Sequence, residues 1–139
     1  MFLLDTNVVS ELRKARAGKA DEKVSRWASG TAAISLFVSA ITVQELEIGV
    51  LRAERRDAKQ GAVLRTWLDQ QVLPAFADRI LPIDVTVARR GASFHIPDPR
   101  SYRDAFIAAT ALVHGMTVVT RNIADFEPMG VELLNPWLT

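Results

Sequence analysis

Short apolar, partly β-branched runs alternate along this chain with longer helix-like segments, and that alternation predicts a mainly parallel sheet covered by helices. The candidate strands are Phe2 to Asp5, a stretch within Ile34 to Ser39, Ile80 to Ile83, Thr117 to Thr120 and Val131 to Leu134. Between them, helical patterns run over Thr6 to Lys14, Glu22 to Ser29, Val85 to His95 and Tyr102 to His114. A longer pattern opens at Thr42 and extends to about Ala75, broken near Lys59 to Gly61 and stopped at Pro74, as expected of a helical hairpin. Asp84 is a candidate N-cap and Gly115 a candidate C-terminal cap. At 139 residues the chain is expected to form one α/β domain over 1–139.

Several chemistries are excluded at once. There is no cysteine, which removes thiolate zinc, iron–sulfur clusters, disulfides and a cysteine nucleophile. His95 and His114 are the only histidines and sit at neither H-x-H nor H-E-x-x-H spacing; no phosphate-binding glycine loop or G-x-S-x-G turn occurs. Asp5 interrupts the N-terminal apolar run, so no leader is expected. The longest mostly apolar stretch, Ala32 to Val43, spans twelve residues against the roughly 20 a membrane helix needs, so no membrane association and a cytoplasmic location are expected. With a net charge of +1, any grip on a polyanion must be local.

The acids supply the functional signal. Asp5 ends the first strand, Glu45 lies in the first turn expected after the second, and Asp125 follows the strand at Thr117 to Thr120. Open α/β sheets bind ligands outside the carboxyl ends of their strands, where these side chains would meet. Asp104 joins them if its helix leads into a parallel strand; the next nine residues of that helix contain one polar side chain, Thr110, which predicts burial. Converging carboxylates repel unless a cation is present, and oxygen-only ligands favour Mg²⁺ or Mn²⁺. The implied chemistry is phosphoryl transfer or hydrolysis. Each acid also has a local alternative. Thr42-Val43-Gln44-Glu45 and Ser101-Tyr102-Arg103-Asp104 have capping-box spacing, and Asp5 and Asp125 could serve turns. Glu47 competes with Glu45, since two residues two positions apart on a helix cannot both face the crevice.

Four segments together resemble the PIN-domain ribonucleases, specifically the VapC-type and FitB-like toxins of toxin–antitoxin pairs. They are Leu3-Leu4-Asp5-Thr6-Asn7, Thr42 to Gly49, Tyr102 to Ala111 and Val118 to Phe126. The resemblance implies a PIN-like three-layer α/β/α sandwich and Mg²⁺- or Mn²⁺-dependent hydrolysis of RNA. It lays the family's acidic quartet on Asp5, Glu45, Asp104 and Asp125, as catalytic and metal-binding residues, with Thr120 and Asn122 in support. Glu45 is either a ligand or a base for the attacking water. The resemblance also implies a homodimer and an antitoxin covering the crevice, whose arginine could stand in for metal. The helical pair from Val43 to Phe76 offers apolar surface for dimerisation.

Thirteen of the seventeen basic residues are arginine, whose guanidinium suits bidentate phosphate contact. By position, Arg103 and Arg121 are the RNA-binding candidates; Arg52, Arg55, Arg56, Arg89, Arg90 and Arg100 read as solvated faces. Trp27, Trp67 and Trp137 read as core or interface rather than base-stacking residues. The rival functions are a receiver-like signalling module and a non-catalytic acidic pocket that binds Mg²⁺ or an arginine-bearing partner. A receiver lacks support, because Asp5 has no adjacent acid and all four lysines fall in the first half of the chain.

Overall fold

The computed structural model describes residues 1–139. Five strands, β1 (Phe2–Leu4), β2 (Leu36–Ser39), β3 (Ile80–Leu81), β4 (Thr117–Val119) and β5 (Leu133–Leu134), are all parallel and lie in the order β3-β2-β1-β4-β5. The helices are α1 (Thr6–Arg13), α2 (Glu22–Ser29), α3 (Ala40–Arg56), α4 (Ala58–Trp67), α5 (Leu73–Ala75), α6 (Val85–Ala92), α7 (Tyr102–His114) and α8 (Ile123–Phe126). None is long and apolar enough to cross a membrane.

Successive strand residues point to opposite faces, and this two-residue period builds the three layers. Leu3 and Val118 enter one core with Ile107, Ala108 and Ala111 of α7 and with Phe126. Leu4 and Val119 enter the other with Val8 of α1, Leu46 and Val50 of α3, and Leu68 and Val72. Burial on both faces explains why these strands read as unbroken apolar runs.

The α/β/α expectation holds, with local corrections. The helix expected to open at Thr42 begins at Ala40, because the Ser39 hydroxyl caps it by accepting the Ile41 N–H at 3.1 Å. Thr42 is therefore an interior residue, fully buried with its hydroxyl unpartnered, and Glu45 falls in the second turn rather than the first. No Thr42–Glu45 capping box forms. The hairpin breaks at Asp57, whose carboxylate caps α4, and Gly61 lies within that helix. Pro74 does not stop the chain either: a π-helical turn over Leu68–Val72 widens the backbone just ahead of it, and the helical path continues to Ala75. Strands are shorter than read, so Asp5 and Thr120 lie just beyond the strand ends. Asp84 caps α6 through the Val87 N–H, and Gly115 ends α7 in the left-handed conformation, both as expected.

Candidate functional site

In this strand order the chain runs outward from β1 to β3, then returns to β4 on the other side of β1. The crevice beyond the carboxyl ends of β1 and β4 is thus the switch point of the sheet. There lies a cavity of about 590 Å³ lined by Asp5, Glu45, Asp104 and Asp125, together with Arg103, Arg121 and Asn122. Each acid comes from a different element, and the structure brings all four together.

Asp5 leaves β1 as its N–H donates to the Val119 carbonyl at 2.9 Å, completing the ladder. Its carboxylate then caps α1, accepting the Thr6 N–H at 2.7 Å and the Thr120 hydroxyl at 2.8 Å. The turn reading and the cavity placement coexist in one side chain. Thr120, fully buried, also accepts the Asn122 N–H at 3.0 Å and the Asn7 side-chain amide at 3.4 Å. Asn122 lines the cavity but does not cap α8 through its side chain.

Glu45 reaches the same space from α3. The Thr6 hydroxyl donates to Oε1 at 2.9 Å and Arg103 donates to Oε2 at 3.0 Å, so both oxygens are held. Glu47 turns the other way and takes a bidentate contact from Arg65 on α4, at 3.0 and 2.6 Å, which lowers its pKa. Asp104 lies in the first turn of α7, where the Ser101 hydroxyl accepts the Asp104 N–H at 3.4 Å. The cap is Ser101, which leaves the Asp104 carboxylate to the cavity. Asp125 projects from α8 at the exposed rim. Arg52, Arg55, Arg56, Arg89, Arg90 and Arg100 do not line the cavity.

Of the cavity residues that sequence reasoning missed, three bear directly on the acids and the rim. Thr6 and Asn7 read as a helix start and as part of the first resembling segment, with no site role, although a hydroxyl and an amide directly after a strand-end acid are well placed to hold carboxylates. Trp137 read as a core or interface residue, and it is the one apolar side chain in the lining.

Charge crowding acts on the acids. Burial pushes the Asp5 carboxyl up, only partly opposed by its bonds from Thr120 and Thr6, and Glu45 and Asp125 push it further. Desolvation, then repulsion from Asp5, Asp125 and Glu45, pushes Asp104 up to about 6. A divalent cation would relieve this repulsion, and the all-oxygen donor set suits a hard ion. No three ligating side chains converge tightly enough to grip an ion unaided.

Without divalent ions, Asp104→Asn is therefore expected to stabilise the protein at neutral pH. The folded state holds the Asp104 proton more tightly than the unfolded chain, so stability present below pH 3.8 is lost as pH rises through about 6. Because this carboxylate is partly exposed, screening leaves a gain of about 1 kcal/mol for the amide, or roughly 4 °C in Tm. Thermal melts in EDTA should show the gain at pH 7 and little at pH 4.5; parent and variant melting together at both pH values would contradict it.

A family model described as PIN domain matches residues 2–128. The chain is 39% identical over 142 residues to VapC ribonuclease Y4jK of Sinorhizobium fredii, covering 99% of this chain and 98% of that one. It is 40% identical over 147 residues to Toxin FitB of Neisseria gonorrhoeae, covering 99% of each. The crystal structure of FitAcB from Neisseria gonorrhoeae superposes with a TM-score of 0.87 at 38% identity, over 100% of both chains.

Proposed function

The chain belongs to the PIN-domain family, and from that premise we propose that it is a divalent-metal-dependent endoribonuclease, the toxin of a toxin–antitoxin pair, working as one domain over residues 1–139. The observation that carries this reading is the convergence of four carboxylates from four elements on one cavity at the sheet's switch point. A pocket that only bound an arginine-bearing partner would not need its own cation inside, yet Arg103 already engages Glu45.

In this reading Asp5, Asp104 and Asp125 hold Mg²⁺ or Mn²⁺, with Glu45 either completing the set or serving as base. The ion supplies Lewis-acid stabilisation of the phosphate and lowers the pKa of water. The chain's own groups do the rest. Thr120 and Thr6 hold the carboxylates of Asp5 and Glu45 in one orientation, which limits their reorganisation as charge develops. As base, Glu45 takes the proton of the water whose oxygen joins phosphorus, while the P–O bond to the leaving oxygen breaks and that oxygen takes a proton from solvent. Asn122 lies in the lining within reach of substrate or water. Arg103 and Arg121 offer cations to flanking phosphates, and Arg103 must release Glu45 to do so.

The partners follow from the same reading: RNA as substrate, a cognate antitoxin over the cavity, and a second copy of the chain, with action in the cytoplasm. Ile48 and Leu51 of α3 and Val63 of α4 are exposed and supply apolar surface for an assembly.

The test is cleavage of a mixed structured RNA by partner-free protein with Mg²⁺ or Mn²⁺, against the same protein in EDTA. Cleavage is expected with ion, absent in EDTA and restored when ion is returned in excess. Cleavage undiminished by chelation, or none from folded protein with either ion, would sink the proposal.

A further inference from the structure

The acid cavity presents a physical problem for an RNA enzyme, because carboxylates repel the strand they must cut and a net charge of +1 supplies no long-range pull. A local grip is required. Arg103 is engaged with Glu45, and Lys14 with Glu11 at 3.1 Å. Arg121 differs from both. It lines the same cavity as four acids but forms no ion pair with any of them. Its guanidinium instead sits 5.1 Å over the ring of Trp137. The main chain is anchored at both residues. The Arg121 backbone N–H donates to the Asn7 side-chain oxygen at 3.4 Å, and the Trp137 backbone N–H donates to the Asn135 side-chain oxygen at 2.9 Å. Pro136 is buried, and the indole packs partly against the second core.

We propose that Arg121 and Trp137 form a nucleotide subsite beside the carboxylates, in which a nucleobase of single-stranded RNA next to the scissile bond stacks on the guanidinium plane backed by the indole. An indole holds a guanidinium flat through cation–π attraction, and a flat guanidinium is a platform for any base. The unpaired charge faces the adjoining phosphate, which an isolated aromatic ring could not hold. The subsite rests on the proposed nuclease reading and specifies where its substrate is held.

The experiment measures binding rather than turnover. Short single-stranded RNAs, intact or with one abasic nucleotide moved stepwise along the strand, are titrated with Mg²⁺ into the Asp5→Asn protein and its double variants. Adding Arg121→Ala should weaken binding of intact RNA about tenfold. Arg121→Lys keeps the charge without the plane and should remain near the alanine value. One abasic position should cost a similar factor with Arg121 present and little without it. Trp137→Leu should weaken binding likewise, with a melt verifying its fold. If Arg121→Lys binds as the parent does, or abasic positions cost the same with and without Arg121, the subsite is overturned. In either case, cleavage by the wild type that is abolished by Asp5→Asn leaves the nuclease reading intact, whereas no cleavage by the wild type removes that reading itself.

Discussion

Asp5→Asn is expected to lower metal-dependent RNA cleavage about a thousandfold while leaving the protein folded. Asp5 is only 7% exposed and sits where β1, β4 and α1 meet, so its charge is the least screened in the cavity. A bound ion provides several kcal/mol of charge stabilisation, which corresponds to about 10³ in rate, and removing the most buried anionic oxygen forfeits most of it. The fold has no such dependence. An amide oxygen can still accept one of the two bonds, from the Thr6 N–H that caps α1 or from the Thr120 hydroxyl, so the start of α1 keeps a partner. Burial already disfavours the charged form, and its removal offsets the lost bond, so the variant should melt near the parent temperature in EDTA. Glu47→Gln is the matched control, since it removes a nearby α3 carboxylate whose partner is Arg65 on α4, and its cleavage should be unchanged. Equal activity of Asp5→Asn and wild type across a Mg²⁺ series would falsify the assignment of Asp5.

Gly61→Ala is expected to destabilise the protein by about 2 kcal/mol or more, against the direction that helix propensity predicts. In an exposed helix interior alanine would be favoured over glycine by about 1 kcal/mol. Here α4 passes so close to α3 that a Cβ at residue 61 would lie 2.4 Å from Glu54 Cα and 2.7 Å from Glu54 N. Those are backbone atoms of a helix and cannot turn aside, so the two helices must separate. Separation loosens Leu46 and Val50 from Leu68 and Val72 in the second core. Overpacking costs about 1–3 kcal/mol when side chains can adjust and more when they cannot, so it exceeds the propensity gain. Urea unfolding should show a lower midpoint, and Tm should fall by roughly 8 °C. A variant as stable as wild type would mean that the hairpin tolerates a wider spacing.

Features governed by neighbours along the chain were legible in the sequence. The apolar runs became strands buried on both faces, and Asp84, Ser101 and Gly115 mark helix ends where their chemistry places them. The order of strand-end acids was legible too, because a parallel sheet brings every strand's carboxyl end to one edge. Local chemistry misled where two signals competed. Ser39 and Thr42 can both cap, and Ser39 prevails because β2 ends there, leaving Thr42 as an interior residue. Gly61 read as a break, but its lack of a side chain serves helix contact instead.

The sequence by itself determined the α/β class and the placing of acids along one sheet edge, since backbone propensity and side-chain chemistry act within a few positions. Only the tertiary structure decided that Glu45 and not Glu47 faces the cavity, that Thr6 and Arg103 hold Glu45, that Thr120 holds Asp5, and that Trp137 backs Arg121 at the rim. Thr6 and Glu45 are 39 positions apart, Arg103 and Glu45 58, and Thr120 and Asp5 115. Contacts at such separations depend on how whole elements pack, and helix rotation of a fraction of a turn exchanges one carboxylate for another.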